Sequence, residues 1–158
     1  MDRRAVLSSL ALTLAGAAAG SVASGRGTRS DWYHRLRKPA IQPPPVVFPV
    51  VWTALYASIA AASVGAQAAA DEPGRVAYRR ALAVNMTLNA GWCWTFFAWH
   101  RLGASVAVAG ALAASSADLA RRAAATSPVA GAALVPYAAW TTFATVLADA
   151  VRRANRPA

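Results

Sequence analysis

Charge is distributed along this chain in a way that few folds accept. Asp, Glu, Lys and Arg are missing altogether from residues 5–25, 39–70, 81–99, 102–117 and 123–148. Those five stretches hold 114 of the 158 residues, so all 22 charged side chains crowd into the remaining 44. A membrane-spanning helix needs about 20 consecutive apolar residues, with a range of roughly 17–25. Four of the stretches reach that range, and the stretch starting at Leu102 runs 16 residues before Asp118. In hydrocarbon every backbone polar group must be satisfied internally, which selects helices for runs of this kind. The expected fold class is therefore an all-α integral membrane protein. It is a five-transmembrane-helix bundle with helices near 5–25, 46–70, 78–99, 102–120 and 127–151, in one domain over 1–158. The alternative is an alanine-rich soluble bundle, suggested by a mean hydropathy of only +0.35. Such a bundle needs charged faces at helical spacing, and the long stretches have none.

Only 14% of residues are charged, against roughly 25% in an ordinary soluble domain. The net charge of +10 would point to nucleic acid if the arginines formed a continuous face. They lie instead in short segments between apolar runs, where they set topology and meet lipid headgroups. Membrane lipid is thus an expected partner, and nucleic acid is not. Seven basic residues fall on one side of the expected bundle and nine on the other, leaning toward a cytoplasmic first loop and C-terminus. A single cysteine, Cys93, precludes an internal disulfide and any CxxC site, and its place between Trp92 and Trp94 suggests a buried thiol. The first two dozen residues have the outline of an export signal. Their apolar run is long for one, and Gly16 and Gly20 form a GxxxG pair suited to close helix contact. A retained first helix is expected.

Residues 26–45 form the longest polar connection, with five basic residues, Trp32, Tyr33 and four prolines, Pro39, Pro43, Pro44 and Pro45. Proline fixes φ and removes a donor, so an ordered, extended loop is expected rather than a helix. Pro49 falls in the first turn of the next helix, where its missing N–H costs least. Asp71-Glu72-Pro73-Gly74 reads as a turn. His100 to Gly103 is short enough to make its flanking helices antiparallel neighbours, and 118–128 leads to the last helix.

Polar groups inside a span are costly and so prompt functional hypotheses. Asn85, Asn89, Trp92 and Phe96 share one helix face, as do Phe48, Trp52 and Tyr56; Pro136 and Trp140 share another, beside Tyr137. Converging, these stripes would line a flat apolar pocket with a few hydrogen-bond donors, suited to a planar aromatic ligand. They would serve equally as interhelical packing and an interfacial aromatic belt, and spacing alone leaves both open. His34 and His100 fall on the same side and could ligate a haem iron axially, though solvent- or headgroup-facing positions are the expectation, and no metal site is expected. The six carboxylates sit at helix ends or in loops, with no pair placed for acid–base work.

Taken together, Trp32-Tyr33-His34-Arg35-Leu36-Arg37-Lys38-Pro39, Pro43-Pro44, Phe48, Trp52 and Leu55-Tyr56 resemble the first loop and second helix of the TspO/MBR family. These are the tryptophan-rich sensory proteins related to the translocator protein, or peripheral benzodiazepine receptor. Asn89, Trp92, Phe96 and Phe97 resemble that family's third helix, and Leu134, Pro136-Tyr137, Trp140, Ala144 and Leu147 its fifth. The resemblance implies a five-helix bundle, often a homodimer, in a cell membrane, bacterial in this case. It also implies a pocket for tetrapyrroles, protoporphyrin IX or haem, as ligands rather than obligatory cofactors. Carried over by position, the ligand-binding residues would be Trp32, Tyr33, Pro44, Phe48, Trp52, Asn89, Trp92, Tyr137 and Trp140. The roles implied are sensing, sequestration or translocation. The alternatives are a light-dependent porphyrin-degrading activity, with Trp52 and Trp140 as its catalytic candidates, and a structural membrane protein with no small-molecule ligand. Asp149 stands within the place of the animal cholesterol motif, and cholesterol binding is not expected.

Overall fold

The computed structural model describes residues 3–156. Among them there is no strand. Five long helices and one short one make up the chain: α1 (Arg3–Gly27), α2 (Asp31–Arg35), α3 (Val47–Ala69), α4 (Glu72–Cys93), α5 (Leu102–Thr126) and α6 (Pro128–Ala154). A single π-helical turn (Trp94–Ala98) continues α4. Four helices, α1, α3, α5 and α6, are long and apolar enough to cross a membrane. α4 is not so by composition, because Glu72, Arg75, Arg79 and Arg80 occupy its first turns.

Three expectations need correction. The segment 26–45 is not wholly extended. Ser30 accepts a hydrogen bond from the Tyr33 amide and caps α2, which makes six helices rather than five. α4 begins at Glu72 rather than near 78: Asp71 caps it through the Gly74 amide at 2.9 Å, and Pro73 sits in its first turn. α5 runs to Thr126 rather than about 120, so Ser127 alone joins it to α6. Charged residues bound an apolar span, but they do not end a helix.

The long helices alternate in direction. α3 runs antiparallel to α4 (Ser63 to Tyr78, Tyr56 to Asn89), and α5 antiparallel to α6, the most extensive pair. α1 lies parallel to α4 and packs closely on it because small residues recur along one stripe: Ser9, Thr13, Gly16, Gly20, Ala23 and Gly27 are all buried. A Cβ on Gly16 would lie 2.8 Å from the Met86 Cβ, and one on Gly27 would lie 2.8 Å from the Phe97 Cδ1. The GxxxG pair therefore serves close packing within the chain. Leu7, Leu14, Val84, Val129 and Val146 point outward, giving the bundle an apolar exterior.

The core has two parts. A central cluster joins Ile59, Leu82, Met86, Leu119, Leu134 and Tyr137. A second, at the end carrying α2, gathers Trp32, Tyr33, Leu36, Phe48, Trp92 and Phe97 around Phe96, Leu147 and Val151.

Candidate functional site

The π turn sets the geometry of the second cluster. Trp99 donates to the Trp94 carbonyl five residues back, and Arg101 to the Thr95 carbonyl, both at 2.9 Å. The wider turn ends at His100, whose φ of 54° is the only positive value at a non-glycine residue among the described residues. Trp92 and Phe96 stack with centroids 5.4 Å apart, and Phe97 meets Phe96 edge-on at 4.9 Å. α2 then lies across them. Trp32 stacks on His100 at 4.0 Å and meets the Phe96 edge at 5.6 Å, while Tyr33 contacts Phe97 at 5.7 Å. The Lys38 ammonium sits 4.8 Å from the Tyr33 ring centroid and donates to the Tyr33 carbonyl. Burial raises the Tyr33 phenol above its ordinary range, and a hydrogen bond with Gln42 pulls the other way.

On the far side, Phe48 meets Trp140 edge-on at 6.1 Å, and Trp140 contacts Phe143 at 5.5 Å. Trp52 lies 5.3 Å from Tyr56 and 6.4 Å from Tyr137. These are contact separations. A planar ligand enters between the helices only by parting the rings. Beside Phe96 and Phe97, the Trp92 Nε1 is buried and has no hydrogen-bond partner among the described residues. A donor in that state costs about 1–3 kcal/mol unless something accepts from it.

Beneath the rings runs a chain of hydrogen bonds through four helices. Tyr56 donates to Asn89 Oδ1 at 2.8 Å, Asn89 Nδ2 to Tyr137 Oη at 3.3 Å, and Tyr137 to Asn85 Oδ1 at 2.8 Å. Asn85 Nδ2 ends the chain on Ser115 and Ser116 of α5. Both amides therefore have partners inside the protein, and Tyr137 is fully buried. Tyr137→Phe removes two links of this chain, leaving Asn85 Oδ1 without its donor and Asn89 Nδ2 without its acceptor. It is expected to lower stability by about 1 kcal/mol, read as a fall in the thermal unfolding midpoint in detergent.

Of the residues expected at a site, Trp32, Tyr33, Phe48 and Trp92 meet in the second cluster, and Trp140 adjoins it through Phe48. Trp52 sits one layer deeper with Tyr137, and Asn89 lies in the hydrogen-bonded layer. Pro44 is exposed, its carbonyl accepting from the Val47 amide in the turn into α3. His34 and His100 are both exposed, and one face of the His100 ring stacks on Trp32. Sequence reasoning did not anticipate the stack of Trp32 on His100, and it missed Asn155. The Asn155 side chain accepts from the Arg37 amide and donates to the Arg37 carbonyl, both at 2.9 Å, tying the proline-rich segment to the end of α6. No local pattern connects residues 118 apart in the chain. Asn155→Ala is expected to speed limited trypsin cleavage after Arg37 about tenfold, because those bonds hold the segment closed.

A model of the TspO/MBR family matches residues 9–153. Protein CrtK of Rhodobacter capsulatus is 35% identical over 126 residues, covering 78% of each chain. A tryptophan-rich sensory protein of Cereibacter sphaeroides is 31% identical over 125 residues, covering 79% of this chain and 77% of the relative. With its apolar helices and this extent of match, the chain is a multi-pass membrane protein that belongs to the TspO/MBR family.

Proposed function

We propose that this protein binds a tetrapyrrole, protoporphyrin IX or haem, among the rings beneath α2, and acts as a sensor, store or translocator of it. Under this reading the uncharged run 81–99 of α4 and its π turn is the fifth membrane span, in a bacterial cell membrane, and the protein works as a homodimer. The observation that carries the proposal is the buried, unpartnered indole N–H of Trp92 inside a shell of aromatic rings. A porphyrin supplies both what the rings stack on and acceptors for the donor. The basic residues at that end of the bundle, Arg35, Arg37, Lys38 and Arg101, suit the propionates of such a ligand.

A second reading, light-dependent porphyrin degradation, is favoured by one arrangement. Trp52 lies within 6.4 Å of two tyrosine rings, so an oxidised tryptophan there has neighbours able to reduce it. One titration tests the binding proposal. Protoporphyrin IX is added in the dark to detergent-solubilised protein while tryptophan fluorescence is followed, alongside Trp140→Phe. Saturable quenching at micromolar ligand, weakened in the variant, is the expected result. Linear quenching identical in both proteins means detergent partitioning and returns the rings to a packing role. Illumination of the saturated complex then distinguishes the second reading, through loss of porphyrin absorbance that Trp52→Phe abolishes.

A further inference from the structure

At the end of the bundle opposite α2, a groove of about 450 Å³ opens along the seam between α1 and α4. Its walls are Arg4, Leu7 and Ser8 of α1 with Glu72 and Arg79 of α4. On α1 these positions share one face, at spacings of three and four residues. On α4 the two lie seven residues apart, so the groove follows the seam for about two helical turns.

The walls mix charge with apolar surface. They hold the two guanidinium groups of Arg4 and Arg79, and Arg3, Arg75 and Arg80 are placed in the same helix turns. Glu72 is the one carboxylate in the walls, and it reaches Arg75 at 3.8 Å and Arg79 at 3.6 Å, both beyond hydrogen-bond distance. Arg79 is thus attracted without being held. Beside them the groove meets Leu7, 67% exposed, and the same stripe of α1 carries Leu14 two turns on, 64% exposed. Charged donors above an apolar stripe make an amphiphilic cleft.

We propose that this groove seats an anionic phospholipid, its phosphate between Arg4 and Arg79 and an acyl chain along Leu7 and Leu14. A phosphate diester accepts hydrogen bonds from two guanidinium groups at once, and basic clefts between helices at the membrane surface suit such headgroups. The apolar stripe selects a lipid over a free anion. The site shares no residue with the ring cluster and stands independently of the tetrapyrrole proposal.

The test uses the full chain in detergent with dioleoyl phosphatidylglycerol or dioleoyl phosphatidylcholine, counting retained lipid per chain by native mass spectrometry. Arg4→Gln/Arg79→Gln is expected to weaken phosphatidylglycerol retention about thirtyfold, the combined effect of two surface arginines. Glu72→Gln is expected to strengthen it about fivefold, a gain that misfolding cannot produce. Arg153→Gln/Arg156→Gln, at the other end, leaves it unchanged. Equal retention of phosphatidylglycerol by the parent and the Arg4/Arg79 variant overturns the proposal, as does equal retention of the two lipids. Displacement by millimolar inorganic phosphate also overturns it, by showing a plain anion site.

Discussion

Gly131→Ala is expected to lower stability by about 1–3 kcal/mol, a fall of several degrees in the unfolding midpoint in detergent. Gly131 lies in the first turn of α6, across the Ser127 junction from the last turn of α5. A Cβ there would lie 2.6 Å from the Ala124 Cα and 2.8 Å from its amide nitrogen. Those are backbone atoms, so no side-chain rotation relieves the clash. The two helices must separate at the point where Ser127 binds them most closely. Its side chain accepts from the Ala130 amide, its carbonyl from the Gly131 amide at 3.0 Å, and its own amide donates to Ala123 at 2.8 Å. Gly91→Ala is the control, since a Cβ at that helical glycine meets nothing within 4 Å. It is expected to gain about 0.5–1 kcal/mol from lost unfolded-state freedom. A midpoint for Gly131→Ala at or above the parent's would show that α5 and α6 do not approach as closely as described.

Trp92→Phe is expected to move stability and ligand binding in opposite directions. The substitution keeps a ring that can stack on Phe96 and deletes a buried N–H with no acceptor. Removing that desolvated donor offsets part of the packing lost with the larger ring, so the unfolding midpoint of the ligand-free protein should hold or rise. Under the proposed function, protoporphyrin IX affinity should fall about tenfold, because the hydrogen bond proposed for the Trp92 donor cannot form. Thermal shift measured with and without porphyrin reads both quantities on one sample. A variant that loses stability and binds porphyrin as the parent does would assign Trp92 to packing alone.

Much of the architecture was legible because charge avoidance in a membrane is a strong and local signal. The five uncharged runs each fall mostly within one of the five long helices. Errors came at the ends. Arg75, Arg79 and Arg80 mark where α4 leaves hydrocarbon, yet helical hydrogen bonding continues back to the Asp71 cap. Ser30 and Asp31 carried a capping signal within 26–45, and the prolines further on outweighed it. For the site, helical spacing identified the aromatic stripes, since it depends on one helix at a time. It could not pair Asn89 with Tyr56 and Tyr137, whose hydroxyls arrive from α3 and α6. An amide in a span signals only that it needs partners. Whether a ligand or a neighbouring helix supplies them depends on the tertiary arrangement.

Ser127, as the whole of the link between α5 and α6, also decides which parts of the molecule can move. Two long helices joined by one residue and seated on Gly131 form a stiff hairpin, with no slack for the pair to hinge. The rings of Trp140 and Phe143 ride on that hairpin and should keep their places with it. Breathing is left to the other side, where residues 36–46 carry no helix and hold to α6 through Asn155. Among the described residues, amide hydrogens of the hairpin should therefore exchange slowest and those of 36–46 fastest. The rate at which any guest enters or leaves would then be the opening rate of that one strap.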